Sequence, residues 1–376
     1  MMYAVWFIFL LYAFACLWLC VQWLRIPQRP SERVTIPTQF KLSVIIPVRN
    51  EEKSIGVLLN DLLRQTLAKH SFEVIVVNDV STDATEGVVN DFKRSHAIDI
   101  QLISLEDIVV NSPKKRAITE GLKIAVGQLI VTTDGDCRVG EKWLEIIAQT
   151  YLQTKAKFIS GPVTFFDERN SFDIFQTVEF ASLIGTGACL LEAKHPTMCN
   201  GANLAYERAA FDEVGGYAGI DSIASGDDEF LLQKMHHRYP ENICFLKNKD
   251  AVVRTQTQEN WRAFYRQRIR WAGKWAVNRR IATMLVAVFV FIVNALTIAV
   301  LVKALGEGMK EVRFNTILMI KYLPEFLFLS LIISFLNKSK FVWYIPFVQL
   351  CYPVYVLFFG LAAQQKEYEW KGRKLR

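Results

Sequence analysis

Long apolar runs without charge constrain this chain more than any other feature. Residues 1–24 contain no charged side chain, and Arg25, Arg29 and Arg33 follow them. At about 1.5 Å per residue, a helix of this length is about 36 Å long and can cross a hydrocarbon core of about 30 Å. A cleaved signal peptide is the alternative, but no basic segment precedes the run. Because basic residues favour the cytoplasmic side, we expect a membrane helix at 1–24 followed by a cytoplasmic segment.

Three more apolar runs lie in the C-terminal part of the chain. Residues 281–302 and 341–363 carry no charged side chain, and the shorter run 322–336 carries one glutamate. We expect a C-terminal membrane region over 281–363 with two or three spans, followed by a basic tail at 364–376. If all three runs cross the membrane the tail lies outside, whereas a re-entrant 322–336 leaves the tail inside. Basic residues alone do not choose between these topologies.

The composition points to a mixed chain, part soluble and part membrane. Hydrophobic residues make up 52% of it and charged residues 22%, which indicates a soluble domain joined to membrane segments. The net charge of +7 fits either a nucleic-acid partner or an anionic membrane surface. The seven cysteines form no C-x-x-C pair or Cys/His cluster, which argues against a zinc site or a disulfide framework. Residues 25–40 contain three prolines and are predicted to link the first helix to the soluble domain.

The soluble segment alternates between strand and helix patterns. Short apolar runs rich in β-branched residues at 42–48, 73–77 and 129–133 predict strands. Helical patterns at 52–66 and 115–126 lie between them. Strands that alternate with helices are typical of a parallel sheet covered on both faces, so an α/β domain is predicted.

Polar side chains follow directly after each predicted strand. They are, in chain order, Asn50, Glu51, Asp79, Asp134 and Asp136. Because ligands bind at the carboxyl ends of the strands in such sheets, we expect these side chains to converge on one rim. Two carboxylates separated by one residue, as in Asp134-Gly135-Asp136, can hold a hard divalent cation such as Mg²⁺ or Mn²⁺. A simple turn is the alternative explanation of that tripeptide.

A basic amphipathic helix is predicted over 256–280. Its apolar residues fall within an arc of about 140° at about 3.6 residues per turn; they are Phe264, Tyr265, Ile269, Ala272, Trp275 and Ala276. Gln267 and Arg270 lie on the opposite side, with Trp271 near the edge. Basic residues such as Arg268 make the stretch strongly positive, so we expect its apolar face to rest on the bilayer. The positive excess then belongs to the membrane flank, and no nucleic-acid partner is expected.

Short motifs in a fixed order give the chain a resemblance to a known family. They are V-I-I-P-V-R-N-E-E at 44–52, N-D-V-S-T-D at 78–83, D-G-D at 134–136, M-C-N-G-A-N-L-A-Y at 198–206, G-D-D at 226–228 and Q-R-I-R-W at 267–271. With this set the chain resembles the membrane-bound family 2 glycosyltransferases, which have a GT-A catalytic domain. The resemblance covers about 40–275. The end at 370–373 is similar to that of lipid-directed members, such as ceramide glucosyltransferases and bacterial carotenoid or hopanoid relatives.

The resemblance implies a fold class and a reaction. It implies an α/β chain whose residues 41–255 form a cytoplasmic GT-A nucleotide-sugar-binding domain with a mostly parallel sheet, joined to transmembrane helices. The implied enzyme is an inverting hexosyltransferase that moves a sugar from a nucleotide-sugar, a UDP-sugar, to a hydroxyl of a lipid or membrane-embedded acceptor. It would use Mg²⁺ or Mn²⁺ and lie in the plasma (inner) membrane of a bacterium.

Most residues that the resemblance assigns serve the donor. It places at the donor Pro47, Asn50, Glu51, Asp79, Lys114 and Asp134, and at the metal Asp136. Asp79 would bind the nucleotide base, the loop from Pro47 to Glu51 would line the uridine, and Asp134 would contact the nucleotide sugar. Lys115 is the neighbouring alternative for this role. The spacing of Lys114 fits the family slightly better than that of Lys115.

The other implied residues serve the transfer step. Asp228 would be the general base, and Asp227 stands where the family usually has Glu. That change leaves open which of the two is the base, and both are also explained as acids at a helix N-terminus. Gln267 and Arg270 would face the diphosphate, and Trp271 the acceptor.

Two other functions fit the sequence less well. A processive polysaccharide synthase needs a channel through the bilayer, and the three or four predicted spans are few for one. A non-catalytic membrane scaffold would keep the fold without the chemistry, yet Asp136, Asp228 and the Q-R-I-R-W string are all present. We therefore expect a membrane transferase with a lipid acceptor.

Overall fold

The structure is a computed structural model of the whole chain. It describes residues 2–108, 110–220, 223, 226–277, 281–307, 312–362, 368–370 and 373–375. Most of the basic tail predicted at 364–376 lies outside the described residues, as do the side chains of Ala272, Trp275 and Ala276.

The described residues form twelve α-helices and eleven strands. The helices are α1 (Met2–Arg25), α2 (Ile55–Leu63), α3 (Thr85–Ser95), α4 (Pro113–Ile124), α5 (Trp143–Thr154), α6 (Ser171–Glu192), α7 (Arg208–Glu213), α8 (Glu229–Arg238), α9 (Trp261–Val277), α10 (Ile281–Glu307), α11 (Val312–Phe335) and α12 (Ile345–Ala362). The strands are β1 (Leu42–Val48), β2 (Phe72–Asn78), β3 (Ile100–Ser104), β4 (Leu129–Thr132), β5 (Phe158–Ser160), β6 (Val163–Phe166), β7 (Leu204–Glu207), β8 (Ile243–Phe245), β9 (Val253–Gln256), β10 (Tyr368–Trp370) and β11 (Arg373–Leu375).

The chain divides into two compact units, here called the sheet unit and the helical unit. The sheet unit comprises Ile26–Asp167, Gly187–Gln256 and Glu369–Arg376, and the helical unit comprises Met1–Arg25, Glu168–Thr186 and Thr257–Tyr368. The domain predicted at 41–255 therefore falls mostly in the sheet unit, but its residues 168–186 belong to the helical unit.

A seven-stranded sheet forms the centre of the sheet unit. Its order is β3-β2-β1-β4-β7-β5-β8, in which β7 is antiparallel to both neighbours and the other pairs are parallel. The predicted mostly parallel α/β sheet is confirmed, and the runs at 42–48, 73–77 and 129–133 are β1, β2 and β4. These strands are rich in Val, Ile and Leu and almost wholly buried, as expected where helices cover both faces.

Several elements are not predicted by the sequence. Strands β5 to β8 have only three or four residues each, and runs this short do not distinguish a strand from a buried helix by periodicity. The 22-residue helix α6 is also missed. The strands β6 and β9 pair in parallel as a separate two-stranded sheet.

The predicted linker at 25–40 is tied to the sheet unit by basic side chains. Arg29 Nη1 donates to Glu192 Oε1 at 2.5 Å and to the Phe245 carbonyl at 2.8 Å. The buried Lys247 ammonium donates to the Ile26 carbonyl at 3.0 Å. The segment that follows α1 is therefore held against the domain, and it does not behave as a free spacer.

Among the described residues, five helices have the length and apolar composition to cross a membrane: α1, α6, α10, α11 and α12. The predicted runs at 1–24, 281–302 and 341–363 correspond to α1, α10 and α12. Helix α11 is 24 residues long and begins well before the predicted run at 322–336. Helix α6 is an additional candidate, and most of it is buried inside the protein. How many of these helices cross a membrane stays a prediction.

A buried polar cluster explains why α11 is longer than its apolar run. Lys321, which is 0% exposed, pairs with Glu325 one turn later at 2.7 Å. Glu325 also accepts hydrogen bonds from Tyr12 of α1 at 2.5 Å and from Gln349 of α12 at 3.0 Å. Lys321 therefore has its counter-charge on its own helix. Helix α11 continues through Lys321, although the sequence pattern places the start of the apolar run after this charge.

Phe264, on the predicted lipid-facing side of α9, is buried by other helices of the protein. The buried Phe264 ring lies 5.4 Å from that of Phe172 on α6, and 6.1 and 5.9 Å from those of Tyr355 and Phe359 on α12. The expectation that this face rests on the bilayer is therefore wrong for Phe264, because α6 and α12 occupy the space. Trp261, at the start of the helix, is 63% exposed.

Arg268 of α9 is a second correction, since we expected it among the arginines of the membrane flank. It is 4% exposed, and its Nη2 atom lies 2.5 Å from Oε2 of the buried Glu179 on α6. Its Nε atom donates to the Tyr355 hydroxyl at 3.1 Å, and its Cζ atom lies 4.4 Å from the centroid of the Trp271 ring. This arginine therefore joins α6, α9 and α12 within the helical unit.

Replacing Arg268 by Met should destabilise the protein by about 3–5 kcal/mol, because Glu179 is left as a buried charge without its counter-ion. The double variant Arg268→Met with Glu179→Met should recover most of that loss, since the cost of desolvating both charges disappears. Thermal unfolding of the detergent-solubilised protein measures both. Arg238→Met is the control, because its pair with Glu213 is exposed and screened by solvent, so its loss should leave stability nearly unchanged. A double variant as unstable as the single one would contradict this account.

Candidate active site

The loops that follow β1 and β2 are bonded to each other at the edge of the sheet. Asn50 Oδ1 accepts a hydrogen bond from the Thr82 amide at 2.8 Å, and the Asn50 amide donates to Ser81 Oγ at 3.0 Å. The Glu51 amide donates to Thr85 Oγ1 at 2.7 Å. Two of the predicted motifs thus form one rim, because β1 and β2 end side by side in the parallel sheet.

Asp79 is fixed at the centre of this rim. Its amide donates to the Val48 carbonyl at 2.8 Å, and its side chain is buried. Arg49 Nη1 donates to the carbonyls of Asp79 and Val80 at 2.7 and 2.8 Å. Val80 has φ +56°, a left-handed conformation that is rare for a β-branched residue. The strain lies directly after the residue predicted to bind the nucleotide base.

Gly135 brings the third motif against the first. A Cβ atom at this position would lie 2.8 Å from Val48 Cγ1 and 3.2 Å from Glu51 Cγ. Only a residue without a side chain allows the backbone so close, so the glycine of the D-G-D motif is a packing requirement. The loop after β4 therefore lies next to the loop after β1, as the sequence predicts.

Lys114 links acidic residues from two separate motifs. Its Nζ atom lies 2.7 Å from Asp134 Oδ1 and 3.2 Å from Asp227 Oδ2. Burial by itself would lower the pKa of Lys114, but the neighbouring carboxylates of Asp134 and Asp227 outweigh it and raise that pKa above the usual value. Of the two adjacent lysines, Lys114 is thus the one that contacts the predicted acidic residues.

Asp228 is anchored by main-chain amides. It caps the N-terminus of α8, where its Oδ1 atom accepts from the Glu229 amide at 2.7 Å. Its Oδ2 atom accepts from the Gly201 amide at 3.1 Å. Asp228 is therefore a helix cap, as one explanation of the sequence predicts. The cap is compatible with a catalytic role, because both hydrogen bonds hold the carboxylate in one orientation.

Gly201 is a site residue to which sequence reasoning gave no role. A Cβ atom there would lie 3.0 Å from both Asp227 Oδ2 and Lys114 Nζ. Its carbonyl accepts from Thr132 Oγ1 at 3.2 Å. By contrast Asn203, in the same motif, is structural, because its side chain bonds Trp143 and the carbonyls of Pro162 and Ala251. The N-G-A-N motif thus delivers a backbone amide to the site.

The D-G-D carboxylates have the chemistry of a divalent-cation site. Ligand atoms of Asp134, Asp136 and Cys137 lie within 4.8 Å of one another. Burial, together with the negative charges of Asp136 and Asp134, raises the pKa of the Cys137 thiol well above its usual value. The two carboxylates supply oxygen ligands, which suit Mg²⁺ or Mn²⁺ better than a soft metal. Asp136 Oδ2 also accepts from Thr255 Oγ1 at 3.4 Å.

Gln267, Arg270 and Trp271 belong to the helical unit. Gln267 Oε1 accepts from Arg268 Nη1 at 2.5 Å, and the Trp271 ring lies 5.8 Å from that of Phe180. Gln267 and Trp271 thus contact other residues of the helical unit. The roles of all three at the diphosphate and the acceptor stay predictions.

Comparison with known proteins identifies the central part of the chain. Residues 43–215 match the family model described as glycosyl transferase family 2. This segment contains the predicted donor residues of the sheet unit, from Pro47 to Asp134, together with Asp136. The resemblance to family 2 glycosyltransferases is therefore confirmed for residues 43–215, and the motifs at 226–228 and 267–271 lie outside this match.

The curated relatives include enzymes that make a polymer and enzymes with a lipid-linked acceptor. The chain is 24% identical over 242 residues to poly-β-1,6-N-acetyl-D-glucosamine synthase of Staphylococcus epidermidis, covering 61% of this chain and 53% of the synthase. It is 25% identical over 238 residues to a dolichyl N-acetyl-α-D-glucosaminyl phosphate 3-β-D-2,3-diacetamido-2,3-dideoxy-β-D-glucuronosyltransferase of Methanococcus voltae, covering 61% and 70%. Three other relatives are matched over 40%, 57% and 16% of their own length, so the chain spans less than two thirds of these proteins.

A solved structure shares the fold. It is a mannosyltransferase from Pyrobaculum calidifontis in complex with GDP-Man and Mn²⁺, with a TM-score of 0.56 and 17% identity. The similarity covers 96% of this chain and 94% of that one. The GT-A fold predicted from the motifs is therefore confirmed.

Relief of the strain at Val80 should stabilise the protein. A left-handed β-branched residue costs about 1–3 kcal/mol, and Val80→Gly removes that cost in exchange for about 0.5–1 kcal/mol of backbone entropy. We expect a net gain of roughly 1 kcal/mol in the free energy of unfolding, measured by thermal unfolding. Val80→Ala is the control, since it keeps Cβ and should bring no such gain. A loss of stability in Val80→Gly would show that the side chain contributes more by packing than its backbone costs.

Proposed function

We propose that this chain, whose residues 43–215 belong to glycosyl transferase family 2, moves a sugar from a nucleotide-sugar to a hydroxyl of a lipid or membrane-embedded acceptor. The proposed donor is a UDP-sugar and the proposed reaction inverts the sugar. The observation that carries the proposal is the bridge from Lys114 to Asp134 and Asp227, at 2.7 and 3.2 Å. Lys114 lies there as a cation between carboxylates from two motifs far apart in sequence, at the edge where such sheets bind ligands.

The donor would lie along the rim formed by the three strand-end loops. Asp79 is proposed to bind the base and the segment from Pro47 to Glu51 to line the nucleoside. Lys114, kept cationic by its acidic neighbours, would offer its charge to the donor phosphates. A divalent cation held by Asp136 would neutralise the negative charge that develops on the leaving diphosphate.

Asp228 is proposed as the general base. Inversion needs a carboxylate on the sugar face opposite the leaving group, to take the proton of the acceptor hydroxyl. Asp227 is already engaged by Lys114, whereas Asp228 is oriented by two backbone amides. These contacts favour Asp228 over Asp227, with Asp227 in a supporting role.

The apolar helices support an acceptor within or beside a membrane. Five of the described helices could cross one, and a relative named for a dolichyl-linked acceptor matches 61% of the chain. The synthase among the relatives keeps polymer formation as the second candidate. Mass spectrometry of lipids from cells with and without the protein separates the two, because a lipid product gains one sugar whereas a polymer grows by many. If the solubilised protein neither transfers nor hydrolyses any nucleotide-sugar, the result would favour the third function, a non-catalytic membrane scaffold.

Asp228→Asn should reduce transfer by about 10²–10⁴-fold, the usual contribution of general base catalysis. Asn still caps α8, so folding should survive, and binding of UDP should change little. Turnover of a radiolabelled nucleotide-sugar and calorimetric titration with UDP measure the two effects. Asp227→Asn is the matched variant, and a larger loss of turnover there would reverse the two roles.

Asp136→Ala should abolish turnover, because the leaving diphosphate loses several kcal/mol of charge stabilisation. The variant should also lose the binding of Mn²⁺, which electron paramagnetic resonance detects directly. Asp250→Ala is the control, since that exposed carboxylate pairs with Lys142 at 3.4 Å on the surface of the same unit. Full activity of the unmodified protein in EDTA would refute the metal assignment.

A further inference from the structure

Lys115 is a buried lysine directly beside the site lysine. It is 2% exposed and lies in the first turn of α4. Its Nζ atom donates to the carbonyls of Ile220 and Ile223 at 2.6 and 2.7 Å and lies 5.7 Å from the centroid of the Phe230 ring. Burying an ammonium group costs free energy unless it is hydrogen-bonded. The two short hydrogen bonds to main-chain oxygens offset that cost and fix the position of the Lys115 side chain.

The carbonyls that Lys115 holds lie upstream of the two candidate catalytic acids. The hydroxyl of Ser112, the residue immediately before α4, donates to the Ile223 carbonyl at 2.8 Å. The chain then turns at Gly226, which has φ +82°. A Cβ atom at Gly226 would lie 2.6 Å from the Phe230 ring, the ring that Lys115 faces. Asp227 and Asp228 follow immediately.

The first turn of α4 therefore contacts this region twice. Successive helix residues point about 100° apart, so two adjacent lysines reach different targets. Lys114 pairs with the Asp227 side chain at 3.2 Å, and Lys115 holds main-chain atoms before it. One helix end thus contacts both a carboxylate of the acidic pair and main-chain atoms upstream of it.

We propose that Lys115 is a positioning residue for the transfer reaction, one that holds the main chain at Ile220 and Ile223, upstream of Asp227 and Asp228, without touching the donor. The proposal rests on the proposed function, in which Asp228 is the base. Because a shift of about 1 Å in a catalytic group can cost roughly 10²-fold in rate, loss of this contact should appear in kcat. It should leave donor binding unchanged, since Asp79, Lys114 and Asp136 keep their places.

The test compares two buried lysines that make the same kind of contact. Lys115→Met removes the charge and the N–H donors and keeps most of the side-chain volume. Lys247→Met is the matched control, because Lys247 is also buried and donates to a main-chain carbonyl, that of Ile26, at 3.0 Å. Both variants should lose thermal stability, but only Lys115→Met should lose kcat, by roughly 10–100-fold, with UDP affinity equal to that of the unmodified protein.

Hydrogen exchange gives a readout that does not depend on turnover. The peptide that contains Ile220, Ile223 and Asp228 should exchange faster in Lys115→Met and at the normal rate in Lys247→Met. Ser112→Ala removes one bond to the same Ile223 carbonyl, so it should shift kcat and exchange in the same direction by less. This milder variant decides the question if Lys115→Met does not fold.

The outcomes separate this inference from the function on which it rests. A normal kcat and normal exchange in Lys115→Met, or equal losses of kcat in Lys115→Met and Lys247→Met, would overturn the positioning role. A parallel loss of UDP affinity would also overturn it, since Lys115 would then act on the donor. If the unmodified protein transfers no sugar and the exchange difference still appears, the proposed function fails while the structural part of the inference stands.

Discussion

Electrostatic repulsion among carboxylates is the constraint on which the site depends. Asp134 and Asp227 come from distant motifs and approach the same point, where two negative charges would repel each other without a cation between them. Lys114 supplies that cation at 2.7 and 3.2 Å. The absence of a side chain at Gly201 serves this arrangement, because a Cβ atom there would lie 3.0 Å from both Asp227 Oδ2 and Lys114 Nζ. Gly135 has a different part, since it lets the loop after β4 lie against Val48 and Glu51.

Much of the fold could be predicted because local pattern determined it. The strands β1, β2 and β4 are apolar β-branched runs followed by polar motifs, and α1, α10 and α12 follow from uncharged runs. Contacts between residues far apart in sequence could not be predicted. Glu179 neutralises Arg268 across 89 positions, so the arginine looked exposed and α6 was missed. One local pair was missed as well: Lys321 and Glu325 are four residues apart and made α11 look short, although each neutralises the other.

The candidate site divides in the same way. Motif order singled out Asp79, Asp134, Asp136 and Asp228, and the roles of these residues stay proposals. The first three follow closely after β2 and β4, where adjacent polar residues are visible in the sequence. The spacing favoured Lys114 over Lys115 only slightly, since spacing alone does not show which of two adjacent lysines faces the acids. That choice depends on how α4 is rotated against the sheet, which packing sets. Gly201 was missed because it contributes a backbone amide, and a backbone amide leaves no signal in residue type.

The polar cluster on α11 also bears on how the protein is made. Lys321 and Glu325 sit one turn apart on a single helix, so their pair can form as soon as that helix leaves the ribosome. Tyr12 has been synthesised by then, whereas Gln349 comes only with α12. If α11 crosses a membrane, it can thus enter with its charges already compensated, and the last hydrogen bond of the cluster forms when α12 packs against it.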